Sequence, residues 1–189
     1  VSQSLTVVSQ DGTASGVITI NITGTNDLAT VSSATTAVTE DNDASSLYAS
    51  GQLTIADADA GQAHVVAQSV AGTYGTIAVD ANGAWTFTAN GAHNELIAGQ
   101  QVSQSLTVLS QDGTASGTIT VNITGTQDVA SVSSESKAVT EGDTAGALNT
   151  SGQLTIGDLD AGQNHVVAQT VSGTYGTIAV AEDGSWTFT

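Results

Sequence analysis

The stretch Ile18-Thr19-Ile20-Asn21-Ile22-Thr23-Gly24-Thr25-Asn26-Asp27 alternates apolar and polar residues, then breaks into a small-residue turn and a carboxylate. A period of two places Ile18, Ile20 and Ile22 on one face of a β-strand with one buried side. The same order returns as Ile119-Thr120-Val121-Asn122-Ile123-Thr124-Gly125-Thr126-Gln127-Asp128. Each copy closes a β-rich block, and a new block opens a few residues later. The two turns therefore read as joints between repeated domains, with function residing in their stiffness.

Working outward, the correspondence runs from Val1/Val102 to the two ends Trp85-Thr86-Phe87-Thr88 and Trp186-Thr187-Phe188-Thr189, without a gap. About seven in ten aligned positions are identical. The offset is far longer than the ~20–50 residues of a solenoid unit, so the repeat is a whole domain in a tandem array. With joints ending at Asp27 and Asp128, residues 28–128 form a complete unit. Residues 1–27 are then the last strands of a preceding unit, and 129–189 the front of a following one.

The chain has 189 residues, with 18 acidic side chains against one basic one, Lys137, and a net charge of −17. Nothing here neutralises phosphates, which excludes a nucleic-acid partner. Anionic membrane surfaces are disfavoured for the same reason. A charge this large opposes compaction unless cations sit among the carboxylates. Cys is absent, so disulfides and thiol chemistry are excluded. Met is absent too, which reads as an internal piece of a longer chain or a processed product. No signal peptide is visible, and no apolar run approaches the ~18 residues of a membrane helix, so direct membrane insertion is not expected.

Taken in order, Ser4–Val8 and Ile18–Ile22 read as two strands joined by the turn Gln10-Asp11-Gly12-Thr13. A strand ends at Ala37-Val38-Thr39-Glu40, and an acidic loop, Asp41-Asn42-Asp43, follows. Leu53 and Ile55 mark a strand running into Asp57-Ala58-Asp59-Ala60-Gly61. His64 to Val70 reads as a further strand. Tyr74–Val79 and Trp85–Thr88 form a hairpin around Asp80-Ala81-Asn82-Gly83. Glu95-Leu96-Ile97-Ala98 has the composition of one helical turn. Seven or eight strands in about 100 residues, with no sustained helical period, predict an all-β protein: antiparallel immunoglobulin-like or cadherin-like β-sandwich repeats in tandem.

Gly51-Gln52-Leu53-Thr54-Ile55, Asp57-Ala58-Asp59-Ala60-Gly61, Gly72–Ile77, Asp80–Phe87 and Gly24-Thr25-Asn26-Asp27 together resemble the VCBS-type, bacterial cadherin-like repeats of large secreted adhesins. The resemblance covers essentially the whole chain. It implies an extender region such as that of RTX adhesins in biofilm-forming bacteria, located extracellularly, secreted or at the cell surface. Related extender domains bind calcium at their joints. Gln127 departs from Asn26 by a longer arm, and Ala181 stands where the first copy has Asp80.

Calcium needs about six to eight hard oxygens. The first joint offers Asn26 and Asp27, with Glu40, Asp57 and Asp59 from the domain that follows. The second offers Gln127, Asp128, Glu141, Asp158 and Asp160. The same residue types recurring at both joints support Ca2+, while solvated loop acids are the plain alternative. His64 and His165 read as surface or half-buried histidines rather than metal ligands, and Trp85 and Trp186 as core rather than a sugar-stacking platform. No nucleophile–base–orienter set and no phosphate loop appears, so no enzyme is expected.

The function read from the sequence is a structural extender of a cell-surface or biofilm-matrix adhesin; a carbohydrate- or protein-binding adhesin module is the alternative. The expected partners are neighbouring repeats or other copies of the chain. Strands 1–27 of one copy could complete the 129–189 front of another by strand addition, giving a head-to-tail filament; the plain alternative is a fragment of a longer chain whose neighbouring segments complete both ends.

Overall fold

The computed structural model describes the backbone of all 189 residues and every side chain except those of Ala145 and Ala147. Strands dominate, and the only helical pieces among the described residues are short 3-10 turns at Ala44–Ser46 and Ala145–Leu148. Asp43 caps the first of these, accepting the Ser45 N–H at 2.9 Å.

The middle of the chain closes a sandwich. One sheet has the order β5 (Tyr48–Gln52), β9 (Ala84–Ala89), β8 (Gly75–Val79), β7 (Gln68–Ala71), all antiparallel. The other consists of β10 (Gln101–Leu109), β11 (Ser116–Thr124) and β4 (Ala34–Thr39). Here β10 and β11 form a hairpin, whereas β4 runs parallel to β11. A two-residue pairing of β3 (Thr30–Val31) with β6 (Ile55–Ala56) closes one edge. The inward positions of each sheet face one another. Ile77, Val79, Trp85 and Phe87 meet Leu106, Val108, Ile119, Val121 and Ile123, and Leu47, Leu53, Val65 and Leu96 seal the sides.

The β8–β9 hairpin forms around the turn read from the sequence. Asp80 Oδ1 accepts the N–H groups of Asn82 and Ala84, both at 2.9 Å, and Gly83 takes the positive φ (84°) that an L side chain resists. Three local readings are corrected. Residues 95–98 are hydrogen-bonded turns, not a helix, because Leu96 is drawn into the core while Ile97 stays exposed. The strand expected over 64–70 is confined to Gln68–Ala71, since Val65 makes only an isolated bridge to Ser110. The strand through Leu53 and Ile55 breaks in two at Leu53–Thr54, where the chain passes from one sheet to the other edge.

On either side lie two further sets of strands. Before the sandwich, β1 (Ser2–Val8) and β2 (Ser15–Asn21) form a hairpin pairing Leu5 with Ile18. After it, β13 (Thr150–Gln153), β17 (Ser185–Phe188), β16 (Gly176–Val180) and β15 (Gln169–Gly173) repeat the four-stranded sheet, and β12 (Ser131–Val132) pairs with β14 (Ile156–Gly157). No strand forms at 135–140, the counterpart of β4. In the complete sandwich that strand exists by pairing with β11, and no equivalent of β11 lies beside 135–140.

Candidate functional site: the carboxylates at the joints

The parallel pairing of β4 with β11 determines which acids meet. It sets Thr39 opposite Thr124 and so carries Glu40 to the far end of the sandwich, beside the second joint. The Glu40 N–H donates to Thr124 O at 2.8 Å. Its carboxylate accepts the Thr126 N–H (Oε2, 3.2 Å) and hydroxyl (Oε1, 3.0 Å), and the residue is only 2% exposed. Glu40 therefore belongs to the second joint, not the first. Glu141, which the sequence grouped with the second joint, is exposed, and among the described residues no hydrogen bond ties it to either joint.

The remaining acids beside Glu40 are Asp128, just after β11, and Asp158 and Asp160, just after β14. Asp160 Oδ2 accepts the Asp128 N–H at 3.0 Å and a donor from the Gln127 amide. The Asp160 N–H donates to Asp158 Oδ1 at 3.0 Å. Gln127 also donates to Asp128 O and to Gln163 Oε1. Asp128 and Asp160 are buried at 6% and 1% exposure. Asp128 Oδ2 and Asp160 Oδ1 are buried with no hydrogen-bond partner. Burial first, then the charges of Glu40, Asp160, Asp158 and Asp41, push the Asp128 carboxyl above its ordinary range.

The first joint repeats the backbone arrangement. Asp59 Oδ2 accepts the Asp27 N–H at 2.8 Å, and the Asp59 N–H donates to Asp57 Oδ1 at 2.8 Å. Asp57 Oδ2 is buried without a partner. Asp27 is exposed, and Asp57 and Asp59 are half-buried. Asn26 donates to Asp112 Oδ2 at 2.9 Å, which brings in the counterpart of Asp11 from the turn between β10 and β11. Hydrogen bonds from Ser110, Asn26 and Thr114 hold the Asp112 carboxyl well below the usual carboxylate range. The signal for it lay in the Ser-Gln-Asp-Gly-Thr turn itself, whose first copy makes the same contacts from Ser9 and Thr13 to Asp11.

The donor set consists of hard oxygens, and unpartnered buried carboxylate oxygens are what a cation would satisfy. Among the described residues, no three His, Cys, Asp or Glu side chains are grouped closely enough to form a ready-made site. A bound ion would therefore have to draw Glu40, Asp128, Asp158 and Asp160 together. Other candidates resolve simply. Trp85 is 4% exposed and packs in the core, so it offers no stacking platform. His93 bonds Glu95 and Tyr74 O within its own loop.

The family model for the bacterial cadherin-like domain matches residues 26–125, more than half of the chain. The chain belongs to the bacterial cadherin-like domain family. Among solved structures, this cadherin-like chain is similar to the protocadherin GammaB4 extracellular domain at 15% identity and a TM-score of 0.45. The similarity covers 99% of the cadherin-like chain and 36% of the protocadherin, so the chain spans about a third of that protein's length. No curated protein matches the sequence. Cadherin-like domains are structural and adhesion modules rather than catalysts. No helix among the described residues is long and apolar enough to cross a membrane.

Proposed function

We propose that this cadherin-like chain is a structural extender of a bacterial adhesin, working outside the cell at its surface or in the biofilm matrix. In this reading residues 28–128 are one complete unit between parts of two neighbours, and calcium stiffens the joints. The observation that supports it is the second joint. Glu40 from one unit, Asp128 from the linker and Asp158 and Asp160 from the next unit lie near enough for their charges to act on Asp128 without forming a closed site, and two of their carboxylate oxygens are buried without a partner. Without a cation these like charges repel across the boundary, and the joint opens. With one, the same oxygens become ligands, and a 180° rotation of the Gln127 amide adds its Oε1. Calcium supplies charge neutralisation; the chain supplies convergence from three segments, so binding resists bending. The consequence is mechanical: an array held as a rod projects whatever it carries.

Isothermal titration of the chain with calcium tests this. The expected result is saturable binding that Asp128→Asn together with Asp160→Asn weakens at least tenfold. Absence of binding heat up to millimolar calcium would leave a solvated acidic tether.

A further inference from the structure

The loop between β9 and β10 braces the second joint without using any of its carboxylates. Gly125, in the turn after β11, donates its N–H to Gln100 O at 2.8 Å and accepts the Gly99 N–H at 3.0 Å. Asn94 Nδ2 reaches Asn42 Oδ1, on the loop after β4, at 3.3 Å. From the loop after β14, the Ala161 N–H donates to Glu95 O at 3.2 Å. Ala161 is exposed, so this bond is what shields its amide from water.

His93 holds the loop in shape. It is the only non-glycine residue with a positive φ (61°) among the described residues. Such a backbone persists where the surrounding contacts over-determine it. Both ring nitrogens are engaged. Nε2 lies 2.9 Å from Tyr74 O, just before β8, and Nδ1 lies 3.0 Å from Glu95 Oε1. A backbone carbonyl only accepts, and so does an ionised carboxylate. A neutral imidazole carries one N–H and satisfies one of the two; the imidazolium, a donor at both nitrogens, satisfies both. The hydrogen bond from His93 is the main influence holding the Glu95 carboxyl below its ordinary range, so Glu95 is the acceptor of this pair. The Tyr74 ring meets the imidazole edge-on, with centroids 5.4 Å apart. The other ionisable groups on the packed loops are Asp41 and Asp43, either side of Asn42, and Asp160, beside Ala161. Among the described residues, none of them is hydrogen-bonded to the ring.

We propose that His93 is a proton-operated latch on the second joint: its imidazolium ties Tyr74 to Glu95 and so presents the Glu95 carbonyl to Ala161, and loss of the proton lets that contact go. A neutral ring that keeps Tyr74 O releases the Glu95 carboxylate to water, and with it the constraint on the peptide that faces Ala161. Imidazole is the side chain whose charge changes near neutral pH. The latch contributes in full while His93 is protonated, and its contribution is lost as pH rises through the His93 transition. It uses no oxygen of the Glu40, Asp128, Asp158 or Asp160 carboxylates, so it operates with or without an ion among them.

The test uses the whole chain in chelator, so it stands apart from the ion-binding experiment. Ring NMR follows the two N–H groups of His93 against pH. Amide hydrogen exchange, corrected for the intrinsic rate at each pH, follows Ala161. His93→Asn runs alongside, because asparagine accepts the left-handed backbone and does not titrate. The expected results are two protected ring N–H groups in acid and one above the transition, with a fall in Ala161 protection of about fivefold at the same pH, the worth of one ordinary hydrogen bond. In His93→Asn that protection is low and flat across the range. Glu95→Gln, which removes the carboxylate facing Nδ1, moves the His93 transition to lower pH. A single ring N–H in acid, Ala161 protection unchanged through the transition, the same step in His93→Asn, or a transition unmoved by Glu95→Gln would each overturn the proposal.

Discussion

Asp160→Asn should reverse the sign of its effect with calcium. In the protein Asp160 Oδ2 accepts the Asp128 N–H at 3.0 Å, while its Oδ1 is buried and unpartnered. Asparagine keeps the side-chain volume and one acceptor for that N–H, and removes a charge from a site shared with Asp128, Glu40 and Asp158. An unsatisfied buried acceptor costs about 1–3 kcal/mol. In chelator the substitution should therefore raise the melting temperature of the joint-coupled transition, by roughly 4–8 °C per kcal/mol for a unit near 100 residues. In calcium the balance inverts. At a calcium concentration 100 times Kd, binding stabilises by about 2.7 kcal/mol. A hundredfold loss of affinity leaves roughly 0.4 kcal/mol of that by the same relation. Set against a gain of about 1 kcal/mol, the low end of that range, the net loss of roughly 1.3 kcal/mol should lower the variant's melting temperature by about 5–10 °C relative to the parent. Scanning calorimetry of both proteins in both buffers gives the four numbers needed. A variant destabilised equally with and without calcium would refute the reasoning, because it would make Asp160 a hydrogen-bonding residue and nothing more.

Two other perturbations follow from the same structure. A Cβ at Gly125 would meet Ile97 O at 2.5 Å and press on the Leu96 carbonyl, both backbone, so Gly125→Ala should destabilise by about 1–3 kcal/mol and show as a lowered urea midpoint. The Asp11 carboxyl, held by Ser9 and Thr13, titrates at about 2 rather than 3.8. Its folded value is depressed, so its contribution to the β1–β2 turn is full above pH 3.8 and lost as pH falls through about 2; carboxyl NMR should show this, and Ser9→Ala should move the value back up.

Much of this was legible in the sequence, for a definite reason. Alternation such as Ile18-Ile20-Ile22 with turn chemistry such as Asp80–Gly83 determines strands and hairpins locally. The β1–β2, β8–β9 and β10–β11 pairs all follow from it. What was not legible depended on pairing between distant strands. Glu40 precedes Asp57 and Asp59 by under 20 residues, which groups them on paper. The parallel alignment of β4 with β11 instead carries Glu40 to Thr126, 86 residues away. Asp112 was hidden in the same way, since its tie to Asn26 spans 86 residues. The short loop at 95–98 looked helical by composition, but the burial of Leu96 outweighed that weak local preference.

The most direct test of the central claim measures the joint itself. Ser69→Cys and Tyr175→Cys place spin labels on exposed positions either side of the second joint, with no native cysteine to compete. Pulsed electron–electron resonance then reports the distribution of distances between them. The account expects a broad distribution in chelator that narrows to a single distance on adding calcium, and stays broad in Asp160→Asn. Distributions of equal width in both buffers would contradict it.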